Sequence, residues 1–177
     1  MSTLTADPGF ARGAVLGVTR TYYDAQVGDG SHLLGVRKVF ADTHPQTGQI
    51  LSNETVECIA VKNVSGAALL PKTLVQFDSD AIVTSVDAGA TTSSVRVGVV
   101  DEYIPAAGVP VNEVFWLVVK GPTTVLKKAS VIAAGAAVSA STTAGSVEAG
   151  TTLKVGLAIA AAQAGDASVR ILSNTNA

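Results

Sequence analysis

A short phrase occurs twice in this chain, and the repetition limits the folds that the sequence can adopt. From residue 85 the chain reads SVDAGATTSSVRVGVV, and from residue 146 it reads SVEAGTTLKVGLAIA. In both copies an apolar segment precedes the phrase, and a Val-Gly pair lies near the end of the phrase. A further glycine, Gly108 or Gly165, precedes the next apolar segment. Because self-similarity at a fixed spacing indicates repeated structural units, we predict two related halves with the same order of strands.

The glycines of the two copies predict where the backbone turns or packs closely. A glycine after Asp-Ala or Glu-Ala suits a tight turn with positive φ, so we expect turns at Gly89 and Gly150. The Val-Gly pairs at Gly98 and Gly156 lie inside strand-like sequence. A glycine there indicates a bulge or the close approach of another backbone.

Short segments rich in Val, Ile, Leu and Thr predict an all-β fold, with a body like a small β-barrel or β-sandwich. The segment AIAAAQA at residues 158–164 has the composition of a helix. Its counterpart in the first copy contains Pro105, which lacks an amide proton and pushes Ile104 toward extended geometry. We therefore expect strand as far as Ile159 and then a connection or a single helical turn. The predicted strands are Leu33–Phe40, Glu54–Lys62, Thr73–Phe77, Ala81–Val86, Ser94–Val100, Val114–Val119, Ala137–Ala140, Leu153–Ile159 and Ser168–Leu172.

The chain divides into three predicted regions. Residues 1–32 are rich in glycine and weakly periodic, which favours an N-terminal arm or cap. Residues 33–66 are predicted to form a β-hairpin around the turn sequence HPQTG, and residues 67–177 the β-body. Aromatic and arginine side chains of the arm are candidate interface anchors, because these types are enriched at interfaces; the alternative is that the tyrosines cover one end of the core. The candidates are Phe10, Arg12, Arg20, Tyr22 and Tyr23.

The chain carries little charge. Charged residues make up 15% of it, against about 25% in a typical soluble domain. From residue 129 to residue 177 only Glu148, Lys154, Asp166 and Arg170 are charged, and fifteen residues are alanine. A surface of this kind suits packing against other protein, the alternative being a monomer with a bland polar surface.

The same composition argues against some classes of partner. The net charge is −2, so no global basic field attracts nucleic acid or anionic lipid. No stretch has the roughly 20 apolar residues of a membrane-spanning helix. The N-terminal sequence shows no secretory signal, which favours synthesis and retention in a cytoplasm. We expect neither a nucleic-acid partner nor a membrane partner.

Residues that could carry chemistry are few and scattered. No nucleophile elbow, P-loop, HExxH or CxxC motif occurs. His32 and His44 lie at turns near aspartates, and the Asp78-Ser79-Asp80 segment lacks the other oxygen ligands of a calcium loop, so we expect solvated turns at these sites. The sequence therefore predicts no catalytic residue, no metal, no cofactor and no enzymatic activity.

Three apolar side chains allow more specific predictions. Cys58 alternates onto the same side as its apolar neighbours in TVECIAV, so we expect a small core residue rather than a reactive thiol. Phe115 and Trp116 are adjacent in one predicted strand and must face opposite sides of the sheet. Core packing on one side and a subunit interface on the other would satisfy both rings.

Three phrases in the second part of the chain resemble those of a known family. They are AAGVPVNEVFWLVVKGP at 106–122, VIAAGAAVSAS at 131–141 and KVGLAIAAAQAGDASVRIL at 154–172. Their order, a strand that ends in Lys-Gly, a turn of small residues, and a closing Val-Gly-x-Ala followed by Ala-Gly-Asp and Val-Arg-Ile-Leu, is similar to that of the capsid cement or decoration proteins of tailed bacteriophages. The resemblance covers roughly residues 70–173, so the predicted arm and hairpin lie outside it.

The resemblance implies a structural virion protein with no catalytic step. It implies a small β-barrel-like body that forms homo-oligomers, commonly trimers, on the outer surface of an assembled head, where it bridges and stabilises major capsid protein subunits after synthesis in the host cytoplasm. Two alternatives stay open at this point. One is a carbohydrate- or receptor-binding β-module of a virion fibre or surface structure, with exposed aromatics around Tyr22, Tyr23 and Tyr103. The other is a small hydrolase that uses Asp and His.

Overall fold

The chain folds into β-strands, as the sequence predicted. A computed structural model describes residues 34–45, 47–79, 84–91, 94 and 96–175, and it contains no helix among these residues. Nine of the ten strands overlap predicted ones; β8 was missed because it has only three residues. The strands are β1 Arg37–Thr43, β2 Ile50–Asn63, β3 Leu74–Ser79, β4 Thr84–Gly89, β5 Val97–Val100, β6 Val114–Leu126, β7 Ala137–Ala140, β8 Val147–Ala149, β9 Lys154–Ala158 and β10 Ser168–Asn174.

The ten strands form one sheet that curls over itself into a sandwich-like body. Its order is β1-β2-β4-β3-β5-β6-β10-β9-β7-β8, with an additional pairing of β2 with β6. Lys62 of β2 pairs with Val114 of β6 and with Ser85 of β4, so β6 and β4 flank β2. The sheet as a whole is not closed into a barrel, because β1 and β8 remain as edges of its described part.

The first two strands form an antiparallel hairpin around the HPQTG turn. The His44 amide donates to the carbonyl of Gln49, and the Gly48 amide donates to the carbonyl of His44, both at 2.8 Å. Gly48 has φ of 69°, a conformation that suits glycine. Since β2 also pairs with β4 and β6, the hairpin belongs to the same sheet as the rest of the body. The predicted arm, residues 1–32, lies outside the described residues.

The two halves predicted from the repeated phrase have the same strand pairing. In the first unit, β3 pairs with β4 and β5, and β5 pairs with β6. In the second unit, β7 pairs with β8 and β9, and β9 pairs with β10. The strand that opens each unit pairs antiparallel with the strand that closes it, β2 with β6 in the first unit and β6 with β10 in the second. The predicted duplication is therefore confirmed.

The long strand β6 belongs to both units. Its N-terminal half closes the first unit against β2, and its C-terminal half opens the second unit against β10. Gly121, with φ of 103°, lies between the two halves, where a Cβ atom would collide with the carbonyl of Thr55. The sequence predicted a strand end at Val119, since a Lys-Gly-Pro sequence usually ends a strand. The structure instead continues the strand through this bend to Leu126.

The correspondence between the units extends to individual residues. Lys72 and Gly135 precede β3 and β7 at equivalent positions, and both have positive φ, 67° and 75°. Gly98 pairs with Val75 of β3, and Gly156 pairs with Val138 of β7. Equivalent isolated bridges join Leu69 with Val109 and Ile132 with Ala162. Because the register repeats as well as the strand order, a residue of one unit can be compared directly with its counterpart in the other.

The glycines of the repeated phrase fulfil one expectation and contradict another. A Cβ atom on Gly98 would lie 3.0 Å from the carbonyl oxygen of Val118 and 2.6 Å from a Leu117 methyl carbon, and one on Gly156 would collide with the carbonyl of Leu172. The predicted close approach is confirmed. The tight turn predicted at Gly89 is wrong, because SVDAG lies within β4. In a segment this short, alternating apolar and polar residues fit a strand as well as a turn, so the sequence did not distinguish the two. At the second triplet the chain does turn, since Gly150 follows β8 directly and residues 151–153 form a bend and a turn before β9, but Gly150 does not have the predicted positive φ.

The segment AIAAAQA is not helical, as its first-unit counterpart predicted. Strand β9 ends at Ala158, and the residues that follow form a connection that meets Ile132 through the bridge at Ala162. The amide of Ile159 still donates to the carbonyl of Arg170, at 2.9 Å. Tertiary pairing therefore decides the conformation of this alanine-rich segment against its intrinsic propensity.

Among the described residues, two hydrophobic clusters form the core. The smaller lies within the first unit and includes Phe115 and Leu117 of β6. The larger takes the opposite face of the same strand, with Trp116 and Val118, and joins it to buried residues of the second unit such as Ile132 and Ile171. Strand β6 is thus buried on both faces over its N-terminal half, which explains its nearly continuous apolar sequence.

Candidate functional site

The outward surface of the second unit carries few free charges. Of the four charged residues after position 129, Glu148 lies 3.4 Å from Lys128, and Arg170 forms ion pairs with Asp42 and Glu102. The carboxylate of Asp166 accepts a hydrogen bond from the amide of Gln163 at 2.7 Å. The fourth, Lys154, is exposed, and what remains on this surface is mainly alanine, glycine, threonine and a few aliphatic side chains.

A row of apolar residues crosses four adjacent strands of this unit. Pro122 of β6 pairs with Leu172 of β10, which pairs with Leu157 of β9, which pairs with Ala137 of β7. Leu157 is 41% exposed and Leu172 is 39% exposed. We call these four residues the apolar row. Aliphatic side chains exposed side by side on a sheet are candidates for a contact with another surface.

A second exposed apolar area lies at the loops of the same unit. The loops 129–136 and 159–167 are joined by the bridge between Ile132 and Ala162. Val131 is 59% exposed and Ile159 is 49% exposed, while Asp166 is the one charged residue in either loop. We call these two segments the loop end of the second unit. Because the loop end carries a single charge, contact with another protein costs little in desolvation.

A groove of about 250 Å³ runs beside the apolar row. Its floor follows a register row in which Val39 of β1, Glu57 of β2, Lys120 of β6 and Asn174 of β10 are paired in turn. Glu57 is held by Arg37 at 2.7 Å. The groove is lined by Val39, Glu54, Thr55, Glu57, Lys120, Gly121, Leu172, Ser173 and Asn174. It is shallow and mixes apolar walls with charges of both signs.

A polar cluster fastens the hairpin to the second unit. Arg170 of β10 donates to Asp42 of β1 at 3.0 Å and to Glu102 at 3.2 Å. The Asp42 side chain is fully buried, and it also accepts a hydrogen bond from the Ser52 hydroxyl at 2.7 Å. We call Asp42, Glu102 and Arg170 the clamp. A carboxylate buried in this way is stable only when paired, so Asp42 depends on Arg170, and the clamp links β1 of the hairpin to β10.

Two further side-chain contacts lie on the hairpin. The rings of His44 and Tyr103 meet edge to face with centroids 5.0 Å apart. The Lys38 ammonium lies 5.4 Å from the centroid of the Phe40 ring, and desolvation by burial lowers the pKa of this lysine. Both contacts use aromatic rings as packing partners for polar groups.

The site residues predicted from the arm cannot be placed. Phe10, Arg12, Arg20, Tyr22 and Tyr23 lie outside the described residues, as do His32 and Asp80, so their proposed roles stay predictions. His44 is described and contacts Tyr103. In the described part of the chain, no group of three or more His, Cys, Asp or Glu residues is arranged to hold a metal ion.

The three apolar predictions have clear outcomes. Cys58 is fully buried, as expected of a core residue. Phe115 and Trp116 face opposite sides of β6, as the alternation predicted. The suggestion that one of them faces a subunit interface is wrong, because Trp116 is 3% exposed and packs edge to face on Phe40 within the chain.

Sequence reasoning missed the apolar row and the clamp. Aligning the Val-Gly pairs of the repeat places Leu157 at the position of Val99, but the alignment does not show that Leu157 is exposed whereas Val99 is buried. The clamp joins residues 128 positions apart in the chain, and no local pattern marks such a pair. The described residues include no helix that is long and apolar enough to cross a membrane.

Comparison with known proteins adds a distant likeness. No family model matches the sequence, and no curated protein matches it. Among solved structures, the N base of head fiber gp8.5 of bacteriophage phi29 superposes with a TM-score of 0.43 and 11% sequence identity. The match covers 66% of this chain and 92% of that chain. A likeness of this size decides neither fold nor function.

Proposed function

We propose that this chain is a structural virion protein of a tailed bacteriophage, a decoration protein without a catalytic step that attaches to the outside of an assembled capsid. It bridges neighbouring major capsid protein subunits and acts as a homo-oligomer, a trimer in the family that the sequence resembles. The observation that carries the proposal is the weakly charged surface of the second unit. The family-like phrases 131–141 and 154–172 supply most of that surface.

The loop end of the second unit is the capsid-facing surface in this proposal. Val131 and Ile159 are large aliphatic side chains left half exposed or more, and the alanines around them present little to desolvate. A decoration protein gains avidity from many weak contacts repeated over a lattice, so shallow apolar contacts of this kind are sufficient. The predicted arm would add a second contact through its aromatic and arginine side chains.

The experiment is attachment to expanded, undecorated heads, measured by co-sedimentation and by imaging. We expect added density at symmetric lattice positions on the outer surface. Because the surface carries few charges, attachment should persist in about 1 M salt, where the screening length falls to about 3 Å. Failure to attach at any salt concentration would overturn the proposal, and release at high salt would overturn the apolar loop end as its basis.

Two variants with a matched control locate the contact. Val131→Asp with Ile159→Asp should abolish attachment, because each places a charge in an apolar contact. Val111→Asp, at an exposed valine of the first-unit loops, should attach normally. Deletion of residues 1–20 should weaken attachment while the body stays folded. Normal attachment by the truncated protein would remove the arm from the proposal, and normal attachment by the double variant would remove the loop end.

A further inference from the structure

The two units differ in how they treat one equivalent surface. In the first unit, the row that corresponds to the apolar row runs Cys58 of β2, Val118 of β6, Val99 of β5 and Leu74 of β3. All four of these side chains are fully buried, at 0% exposure. They belong to the larger hydrophobic cluster, which also contains buried residues of the second unit. In the first unit, therefore, this row is a packing surface.

The second unit retains the same surface without covering it. Leu157 corresponds to Val99, and Leu172 corresponds to Val118, because each pair occupies the same place in the strand register. The valines are fully buried, whereas the leucines are 41% and 39% exposed. Leucine, the larger of the two side chains, thus occupies the exposed positions, where packing within the unit does not require it. Terminal units of stacked repeats usually replace such residues with polar ones.

We propose that the apolar row is a self-association surface on which a second copy of this chain packs. The packing inside the chain favours a second copy as the occupant, since the equivalent row of the first unit is covered by apolar side chains of this same protein. No charged residue stands in the row, so it offers a charged partner no complementary group, and apolar strips of this kind are self-complementary. This inference builds on the homo-oligomer of the proposed function and assigns its contact surface.

The residues beside the two leucines indicate that the contact surface for a second copy is small. Pro122 at one end of the row is buried and Ala137 at the other is half-buried, so the two leucines form the projecting part. The groove beside the row begins at Leu172 and ends at Val39, which is 59% exposed. A copy seated on the leucines would cover this groove as well. The two exposed leucines are then central and the charges of the groove are peripheral, which is the usual arrangement of an interface.

The test is the mass of the full chain in solution, measured by light scattering over a range of concentrations. We expect a multiple of 17.8 kDa for the natural sequence and the monomer mass for Leu157→Glu with Leu172→Glu. Val64→Glu with Val111→Glu, at exposed valines outside the row, is the matched control and should keep the oligomer. A monomeric natural protein, or a double variant that keeps its mass, would overturn the inference.

A milder variant guards against misfolding. Leu157→Ala with Leu172→Ala removes apolar area without adding charge, and it should raise the dissociation constant of the oligomer at least about tenfold. An unchanged constant would count against the row. Attachment to heads is scored separately. Oligomers that do not attach would overturn the proposed function alone, whereas a monomer that attaches through the row would overturn the self-association alone.

Discussion

The clamp gives the sharpest test of how the hairpin is held to the body. Replacing Arg170 with Met keeps much of the aliphatic stem but removes the guanidinium from Asp42, whose side chain is fully buried. The Ser52 hydroxyl still donates to the same carboxylate oxygen, but a hydroxyl does not neutralise a carboxylate. Removal of one partner from a buried ion pair costs about 3–5 kcal/mol.

We expect Arg170→Met to fall at the low end of that range. The Arg170 side chain is 31% exposed, so water reaches the site and stabilises the remaining charge in part. A cost of about 3 kcal/mol corresponds to a decrease of roughly 6–12 °C in the melting temperature of a chain of this size. The free energy of unfolding is obtained from urea denaturation, and the melting temperature from circular dichroism.

The matched control is Arg37→Met. Arg37 pairs with Glu57 at 2.7 Å, but these side chains are 43% and 29% exposed, so the loss should be within about 1 kcal/mol. Both variants delete an arginine side chain from ion pairs; they differ in the burial of the carboxylate and in that Arg170 also loses its pair with Glu102. Equal losses for the two variants would refute the argument that burial of Asp42 makes the clamp important. Adding Asp42→Asn to Arg170→Met should recover part of the lost stability.

Two further substitutions test the repeat and its loops. Gly156→Ala should cost about 1–3 kcal/mol, because a Cβ atom there meets the backbone of Leu172. Gly165→Ala, where a Cβ atom has nothing within 4 Å, is the control and should change the midpoint of urea denaturation little. Similar midpoints for the two variants would contradict the close approach at Gly156. Asn63→Ala should cost about 2–3 kcal/mol, since its side-chain amide donates to the carbonyls of Ala67, Val109 and Pro110. Ser65→Ala, which removes one partner of the Asn63 carbonyl oxygen, should cost less than about 1.5 kcal/mol, and a cost as large as that of Asn63→Ala would place the effect elsewhere.

The repeat was the part of the fold that sequence could predict well. Strand segments and their order follow from local alternation and from the repeated phrase, and Pro105 was enough to exclude a helix in the equivalent alanine-rich segment. The turn predicted at Gly89 was wrong because a short strand and a turn share the composition of the acidic-Ala-Gly triplet. The sequence predicted the end of β6 too early, because long-range pairing with β10 carries the strand through Gly121 and Pro122 against local strand-ending signals.

The candidate site was less accessible to sequence reasoning. Low charge after residue 129 predicted an interaction surface in general terms. It did not identify Leu157, because Leu157 and Val99 both follow a Val-Gly pair and differ only in that Leu157 is exposed and Val99 is buried. Whether a residue on a strand is covered depends on what packs over the sheet, which a local pattern does not encode. The clamp depends on a contact between the hairpin and β10, so its residues look like ordinary surface charges in the sequence.

The strand shared by the two units has a consequence for unfolding. Separation of β6 from β2 and β5 removes the closing strand of the first unit, and the same strand then no longer presents its C-terminal half to β10 in the correct position. The units are therefore not independent modules joined by a linker. Denaturation should follow a single cooperative transition with equal calorimetric and van't Hoff enthalpies, so that damage to either unit lowers the stability of the whole body.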